Sequence, residues 1–511
     1  MVIQTKNKFD FNNLFIFEMA NNHQGSVEHG KRIINEIADV VERTGVRGAI
    51  KLQFRDLDTF VHPDHRERTT NKHIPRFLST RLSEEQFAEL VKETKKRGLT
   101  TMCTPFDETS VGRIVRLGIE VVKIGSCSAH DWPLLEKISE TGKPVICSVG
   151  GLIIKDIDKI VSFFQHRGVH FALMHCVAIY PTPNDKFHMN QIEVMRNRYP
   201  NIVIGFSTHE YHGNTAAIKL AYAKGARIYE KHVGVATDKI TLNAYSANPT
   251  QVETWINAWK EAVDACGSEG EREISLKEKE DLFSLKRGVY ALKLVKKGMP
   301  LSRTDIFFAM PITEGQLPSG EWKEHMVADH DYAPREVISV VVIQNCPPQQ
   351  KYVIAHIIHE LKGILHTAKI VVGDTPNLEL SHHYGLELFH EHGAAIIDCI
   401  NREYCKKIII QLPGQRHPMH HHKKKEEAFQ VLYGELYIDI EGKEKLFYPG
   451  DVIVVPRGAW HSFRTDQGAI FEEVSTTHYN DDSFYQDATI NQMPREQRKT
   501  KLINWGYRQF E

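Results

Sequence analysis

Between Phe15 and Val233 one pattern recurs eight times, a short apolar run followed by an amphipathic segment that stops near a glycine. The runs are FIFEMA, GAIKLQ, LTTMCTP, VVKIGS, PVICSV, FALMHC, VIGFST and IYEKHV. Segments such as HGKRIINEIADVVERTG, SEEQFAELVKETKKRG and KDIDKIVSFFQHRG have apolar residues at helical spacing. Gly45, Gly98, Gly118, Gly142, Gly168 and Gly225 punctuate the pattern and suit left-handed helix caps. Helices between short apolar strands imply parallel pairing. Eight such units in about 250 residues predict a (β/α)8 TIM barrel of the α/β class. An open doubly wound sheet fits less well. No GxGxxG follows the first run, and polar residues gather at the ends of nearly every strand instead of at one switch point.

Barrel active sites are built where the strands end. There the sequence places Glu18 with Asn21, Asn22 and His23, Lys51 with Gln53, Thr104, Lys123 with Ser126, Ser148, Tyr180, Ser207 with His209, and Glu230 with His232. Two lysines and several hydroxyls suit a phosphate or carboxylate, and two histidines with flanking carboxylates suit a divalent cation and proton transfer. Taken singly, Lys51 or Lys123 also reads as a structural ion pair, and Ser126 or Ser148 as a turn residue. The segment HEYH at 209–212 is one residue short of HExxH, whose i,i+4 spacing sets both histidines on one helical face, so a zinc-protease reading carries little weight.

The ordered elements EMANNHQGS, KLQF, CTPFD, VVKIGS, HCVAIYPTP, GFSTH and YEKH resemble the N-acetylneuraminate (sialic acid) synthase family from Phe15 to about Trp322. The resemblance implies a transferase that joins phosphoenolpyruvate to an open-chain acylamino hexose, releases phosphate and yields a nine-carbon 2-keto sugar acid. It assigns His209 and His232 to a divalent metal, commonly manganese. Thr104, Lys123, Ser126, Ser148 and Ser207 fall on phosphoenolpyruvate-binding positions. Glu18, Lys51, Gln53, Tyr180 and Glu230 fall near the reacting carbons and the sugar chain. Ala178 stands where the family often has asparagine, and Asn243, at a sugar-binding position, where it often has aspartate.

After the charged segment GSEGEREISLKEKEDLFS, the stretch LKRGVYALKLVKKGMPLSRTDIFFAMP resembles the antifreeze-like SAF module of that family. This implies a homodimer in which the module caps the partner's barrel. Met310 occupies a place where the family often has arginine. Further on, Gly414–Gly434 and Gly450–Phe463 resemble the two cupin motifs, with His420, His422, Glu427 and His461 as implied ligands for manganese, iron, nickel or zinc. Alternate residues of a strand share a face, which puts His420 and His422 together inside a β jelly roll. His421 and Lys423 to Lys425 read as solvated turn residues.

The expected layout is a barrel over 1–278, a SAF-like module over 279–336, a connector over 337–376, a cupin over 377–485 and a tail over 486–511. The 511 residues carry a net charge of -1, with 25% charged and 41% hydrophobic residues, so bulk charge nominates neither nucleic acid nor an anionic membrane. No leader-like apolar core or spanning run is seen, and eight cysteines lack a CxxC pair, which reads as a cytoplasmic chain with buried thiols instead of a disulfide framework. Two other functions fit the same residues: a metal-dependent sugar isomerase or aldolase working through the cupin, and a non-catalytic sugar-binding regulator.

Overall fold

The computed structural model describes residues 9–67, 70–339, 350–373 and 376–507. The chain divides into two compact units, Met1–Glu273 and Ile274–Glu511.

In the first unit eight parallel strands close in sequence order into a barrel. They are β1 (Leu14–Glu18), β2 (Arg47–Phe54), β3 (Thr100–Pro105), β4 (Val121–Ile124), β5 (Val145–Ser148), β6 (Phe171–His175), β7 (Ile204–Phe206) and β8 (Ile228–His232). Each contains part of one predicted apolar run, and the six punctuating glycines all have positive φ.

The period of two along a strand explains where chemistry collects. Leu14, Ile16, Ala49, Met102, Val121, Ile146, Ala172, Met174 and Ile228 fill the barrel interior. One step further along the same faces come Glu18, Lys51, Thr104, Lys123, Ser148 and Glu230. The opposite faces pack against the helices: Phe15, for instance, meets Trp255 and Trp259 edge-on with ring centroids 5.7 and 5.1 Å apart. Strand β7 needs glycine at its centre, because a Cβ on Gly205 would lie 2.8 Å from Ile228 Cβ. That close approach of β7 to β8 sets His232, at the end of β8, beside the segment after β7 that carries His209.

The second unit opens with a helix, Leu276–Ser284, and a small module around the antiparallel pair β9 (Gly288–Ala291) and β10 (Ile306–Ala309). Val289, Ala291, Val295, Leu301, Ile306 and Tyr332 belong to its own core.

Beyond it lie two sheets. One, in the order β18-β15-β20-β13-β12-β11-β22, comprises Val452–Val455, Glu427–Gly434, Ala469–Thr476, Tyr404–Gln411, Ala394–Asn401, Asn377–Ser381 and Lys499–Leu502. The other, β17-β16-β19-β14-β21, comprises Lys443–Phe447, Leu436–Ile440, His461–Arg464, Arg416–His421 and Phe484–Tyr485. Side chains of both sheets, including Ile409, Phe429, Ile438 and Phe463, share one core.

Two segments expected to lie outside this body are part of it. The expected connector contains the helix Gln350–Thr367, whose Ile354, Ile357, Ile358, Leu361 and Leu365 pack with Leu378, Leu380, Ile408 and Ile410 of the larger sheet. The apolar SVVVI and the NCPPQQ turn expected just before it lie, apart from Ser339 and Gln350, outside the described residues. The expected tail supplies β22, which pairs with β11 and buries Leu502.

Among the described residues the cysteines are free, but the expectation of buried thiols holds only for Cys103, Cys147, Cys176 and Cys405; Cys127, Cys266 and Cys399 are exposed.

Candidate functional site

At the carboxyl end of the barrel the buried charges interlock. Lys51 Nζ lies 2.7 Å from Glu18 Oε2 and 2.7 Å from Glu230 Oε1. Gln53 Nε2 donates to Glu18 Oε2 at 3.1 Å, and Ser207 Oγ donates to Glu230 Oε1 at 3.1 Å. Lys123 Nζ donates to Ser148 Oγ at 2.6 Å, but its closest carboxylate oxygen, Glu230 Oε2, is 3.8 Å away. Burial alone would pull Lys51 down; Glu18 and Glu230 outweigh it and hold the amine charged. Burial pulls Lys123 below the usual lysine range, only partly offset by Glu230. Burial would raise Glu230, yet Lys123 and Lys51 outweigh it and keep the carboxylate ionised.

The cluster is thus short of negative charge at Lys123, and donors stand ready around it. Thr104 Oγ1 is buried without a partner. Ser126 Oγ accepts from Gly150 N at 3.0 Å, and a Cβ on Gly150 would come within 2.9 Å of both Ser126 Oγ and Cys176 O. A glycine here lets the backbone close in on the hydroxyl. A partially compensated ammonium with hydroxyls and a backbone amide forms a cradle for an anion.

His209 and His232 stand side by side with ring centroids 5.2 Å apart. His209 Nδ1 lies 3.2 Å from Val177 O, a contact that fixes the proton there and leaves Nε2 as a lone pair. Burial lowers both imidazoles, His209 to about 4 and His232 to about 3, which keeps them neutral near pH 7 as metal ligands must be. The pair fits a divalent cation with open positions. Tyr180 lies over His209 at 4.0 Å, and Tyr245 meets both rings edge-on at 5.8 and 5.2 Å. Asn243 is occupied locally: its Oδ1 accepts from Tyr245 N and Ser246 N at 3.2 and 2.9 Å, so its carbonyl shapes the loop that presents Tyr245.

Three barrel features escaped the sequence reading. Arg55 is sandwiched between Phe77 and Phe106, 4.0 and 3.7 Å from the ring centroids, and donates to Gln53 Oε1 at 3.1 Å. Tyr245 belongs to the histidine cluster. Lys231, out of phase with its neighbours Glu230 and His232, pairs at 2.8 Å with Glu210, the acid of HEYH. The only signal was position, since each lies within two residues of a singled-out residue.

In the jelly roll, His420, His422 and His461 offer ligand atoms that all lie within 4.8 Å of one another, the sole three-ligand group found among the described residues. Their Nδ1 atoms contact the carbonyls of Pro418, Asp482 and Ala459 respectively. Donation at Nδ1 leaves three Nε2 lone pairs facing one point. His461 Nε2 and Glu427 Oε2 are 3.0 Å apart, both buried and neither in a hydrogen bond, as expected of atoms that share a cation. The four predicted ligands therefore come together and fit a metal.

The expected solvated turn needs correcting. His421 ends β14, packed against Trp460 and Phe484 with centroids 4.4 and 5.2 Å away. Lys423 and Lys424 are exposed, but Lys425 is buried and forms ion pairs with Glu427 and with Glu473, the latter at 2.9 Å. Two carboxylates on the inner sheet face outweigh the cost of burying this lysine, and its place in a KKK run concealed that.

Comparison with known proteins agrees with this architecture. A family model described as the NeuB family matches residues 39–271, and one described as a cupin domain matches residues 408–472. A Chromobacterium violaceum crystal structure, described as a candidate spore coat polysaccharide biosynthesis protein E, is 44% identical. It superposes with a TM-score of 0.63 over 65% of this chain and 99% of its own. A Drosophila melanogaster N-acetylneuraminate-9-phosphate synthase is 31% identical over 227 residues, 42% of this chain and 59% of the fly protein. A Campylobacter jejuni N,N'-diacetyllegionaminic acid synthase is 24% identical over 318 residues, 58% of this chain and 90% of the bacterial protein. The chain belongs to the NeuB family and carries a cupin domain C-terminal to the region that the family model matches.

Proposed function

We propose that the barrel condenses phosphoenolpyruvate with the open-chain form of an acylamino hexose, releasing phosphate and forming a nine-carbon 2-keto sugar acid. The observation that carries this reading is the buried ammonium of Lys123, compensated only at 3.8 Å by Glu230 and set across the barrel end from two neutral histidines. In this reading Lys123, Ser148, Thr104 and Ser126 hold the phosphate, and Ser207 orients Glu230. Lys51 and Gln53 fix the Glu18 and Glu230 carboxylates beside the reacting carbons, close enough to move a proton. His209 and His232 hold the divalent cation, manganese in our reading, which when bound supplies Lewis-acid polarisation of the sugar aldehyde. Tyr180 and Tyr245 wall the sugar side.

The names of the synthase relatives support the substrate class, an acylamino sugar, without choosing among its members. The β9–β10 module is read as the SAF element that caps the barrel of a partner subunit. For the layout we propose a barrel over 1–278, a SAF-like module over 279–336 and a cupin over 377–485, with the 337–376 segment and the 486–511 tail joined to the cupin body through the helix Gln350–Thr367 and the strand Lys499–Leu502. No helix among the described residues is long and apolar enough to cross a membrane, and we read the protein as cytoplasmic.

The test is a panel of acylamino hexoses with phosphoenolpyruvate and manganese, following phosphate release and product mass. Release that requires both substrates and yields their condensed mass is expected. Isomerisation of the sugar without phosphoenolpyruvate would place the chemistry in the cupin instead.

A further inference from the structure

The ligand set of the jelly roll has a competitor built into it. Glu427 turns both carboxylate oxygens toward the histidines, with Oε2 3.0 Å from His461 Nε2 and Oε1 3.5 Å from His422 Nε2. Metal–ligand bonds of about 2.1 Å put neighbouring ligand atoms roughly 3–3.5 Å apart, so both oxygens stand at ligand spacing. They differ in what else holds them. Oε2 is buried without a hydrogen bond, whereas Oε1 is already taken by the ammonium of Lys425.

Lys425 is buried, and its other partner is Glu473 Oε1 at 2.9 Å, which also accepts from Ser475 Oγ at 2.8 Å. Neutralising Glu473 does not by itself call for this lysine. Lys407 stands directly opposite Glu473 on the neighbouring strand and bears on that carboxylate more strongly than Lys425 does. Glu427 has no such second lysine: Lys425 is the charge that bears most on it, followed by the triad's own His461 and His422. The backbone of the lysine is fixed as well. The buried Asp482 carboxylate accepts from the amides of Lys423, Lys424 and Lys425 at 3.0, 2.9 and 3.0 Å, and the Asp482 carbonyl contacts His422 Nδ1. One residue therefore locks the turn that carries both a ligand and the competitor for a ligand.

We propose that Lys425 is a positioning residue of the cupin metal centre, which keeps Glu427 Oε1 from the cation so that the carboxylate binds through Oε2 alone. With three imidazoles and one oxygen supplied by the chain, a six-coordinate cation keeps roughly two positions for outside ligands instead of roughly one. The inference rests on the cupin residues and is independent of the barrel reaction.

The test uses the full chain loaded with manganese, carrying His209→Ala and His232→Ala in every sample so that only the cupin cation is read. Water-proton relaxation counts the exchangeable waters on the metal, and competition with a chelator gives its affinity. Lys425→Met is expected to lose about one bound water, as the freed Oε1 takes its position. It is also expected to bind manganese several-fold more tightly, because a positive charge beside the cation is gone. Lys425→Arg, which keeps donor and charge, is expected to match the parent in both. A lysine that served only the fold would give weaker metal binding with the water count unchanged. The proposal is overturned if the parent's cupin takes up no manganese, if Lys425→Met keeps the parent's water count or binds the metal no more tightly, or if Lys425→Arg behaves like Lys425→Met. Should Lys425→Met fail to fold, Lys425→Met combined with Glu473→Gln, which also removes the stranded second carboxylate, is judged by the same two readings.

Discussion

The ion pair behind the two barrel histidines gives the sharpest energetic prediction. Lys231 lies between Glu230 and His232 but faces away from them, with Nζ 2.8 Å from Glu210 Oε1 and both side chains 1% exposed. Glu210 directly follows His209, and its other oxygen accepts from Thr208 Oγ1 at 2.8 Å. One pair therefore ties together the segments that carry both imidazoles. Lys231→Met leaves a buried carboxylate with a single hydroxyl donor, and breaking such a pair costs about 3–5 kcal/mol. In a domain of this size each kcal/mol lowers the melting temperature by about 2–4 °C, so the barrel transition should fall by on the order of 10 °C. Scanning calorimetry of the full chain reads this directly. The double variant Lys231→Met with Glu210→Met should recover most of the loss, because an apolar pair of similar volume removes the stranded charge. The reasoning fails if Lys231→Met melts within about 2 °C of the parent, or if the double variant is as unstable as the two single losses added together.

Four further outcomes follow from the geometry. His209→Ala or His232→Ala should abolish condensation with the fold intact, and near-parental turnover with confirmed metal content would remove the metal assignment. Lys123→Met should raise KM for phosphoenolpyruvate far more than KM for the sugar, as steady-state kinetics will show. His420→Ala combined with His461→Ala should cost one metal equivalent by elemental analysis while condensation continues. Finally, burial would raise Glu379, but Lys499 outweighs it and holds the carboxylate at about 2, against a usual value of 4.5. Because this pKa is depressed on folding, the stabilisation is complete above about pH 4.5 and is lost as pH falls toward 2, by at most about 1.4 kcal/mol per pH unit. An acid titration of stability should be flatter in Glu379→Gln than in the parent.

Much of the barrel site was legible because its logic is periodic. Once Ile16, Ala49, Val121 and Ile228 face inward, Glu18, Lys51, Lys123 and Glu230 must follow on the same faces at the strand ends. The cupin ligands were legible for the same reason, through alternation in HHH. What escaped were charged residues whose burial depends on a partner distant in sequence. Lys425 sits in a run of three lysines, and only its neighbour across the sheet, Glu473, explains why it points inward. Lys231 finds Glu210 across two strands. The helix Gln350–Thr367 and the strand Lys499–Leu502 were read as peripheral because docking onto the larger sheet leaves no periodic trace in the segment itself.

The most direct test of the condensation reading is the fate of carbon. With phosphoenolpyruvate labelled at C3, the accepted acylamino hexose and manganese, the account predicts a nine-carbon acid labelled at C3 and one phosphate released per acid formed. Phosphate release without sugar, or a rearranged sugar that contains no label, would contradict it.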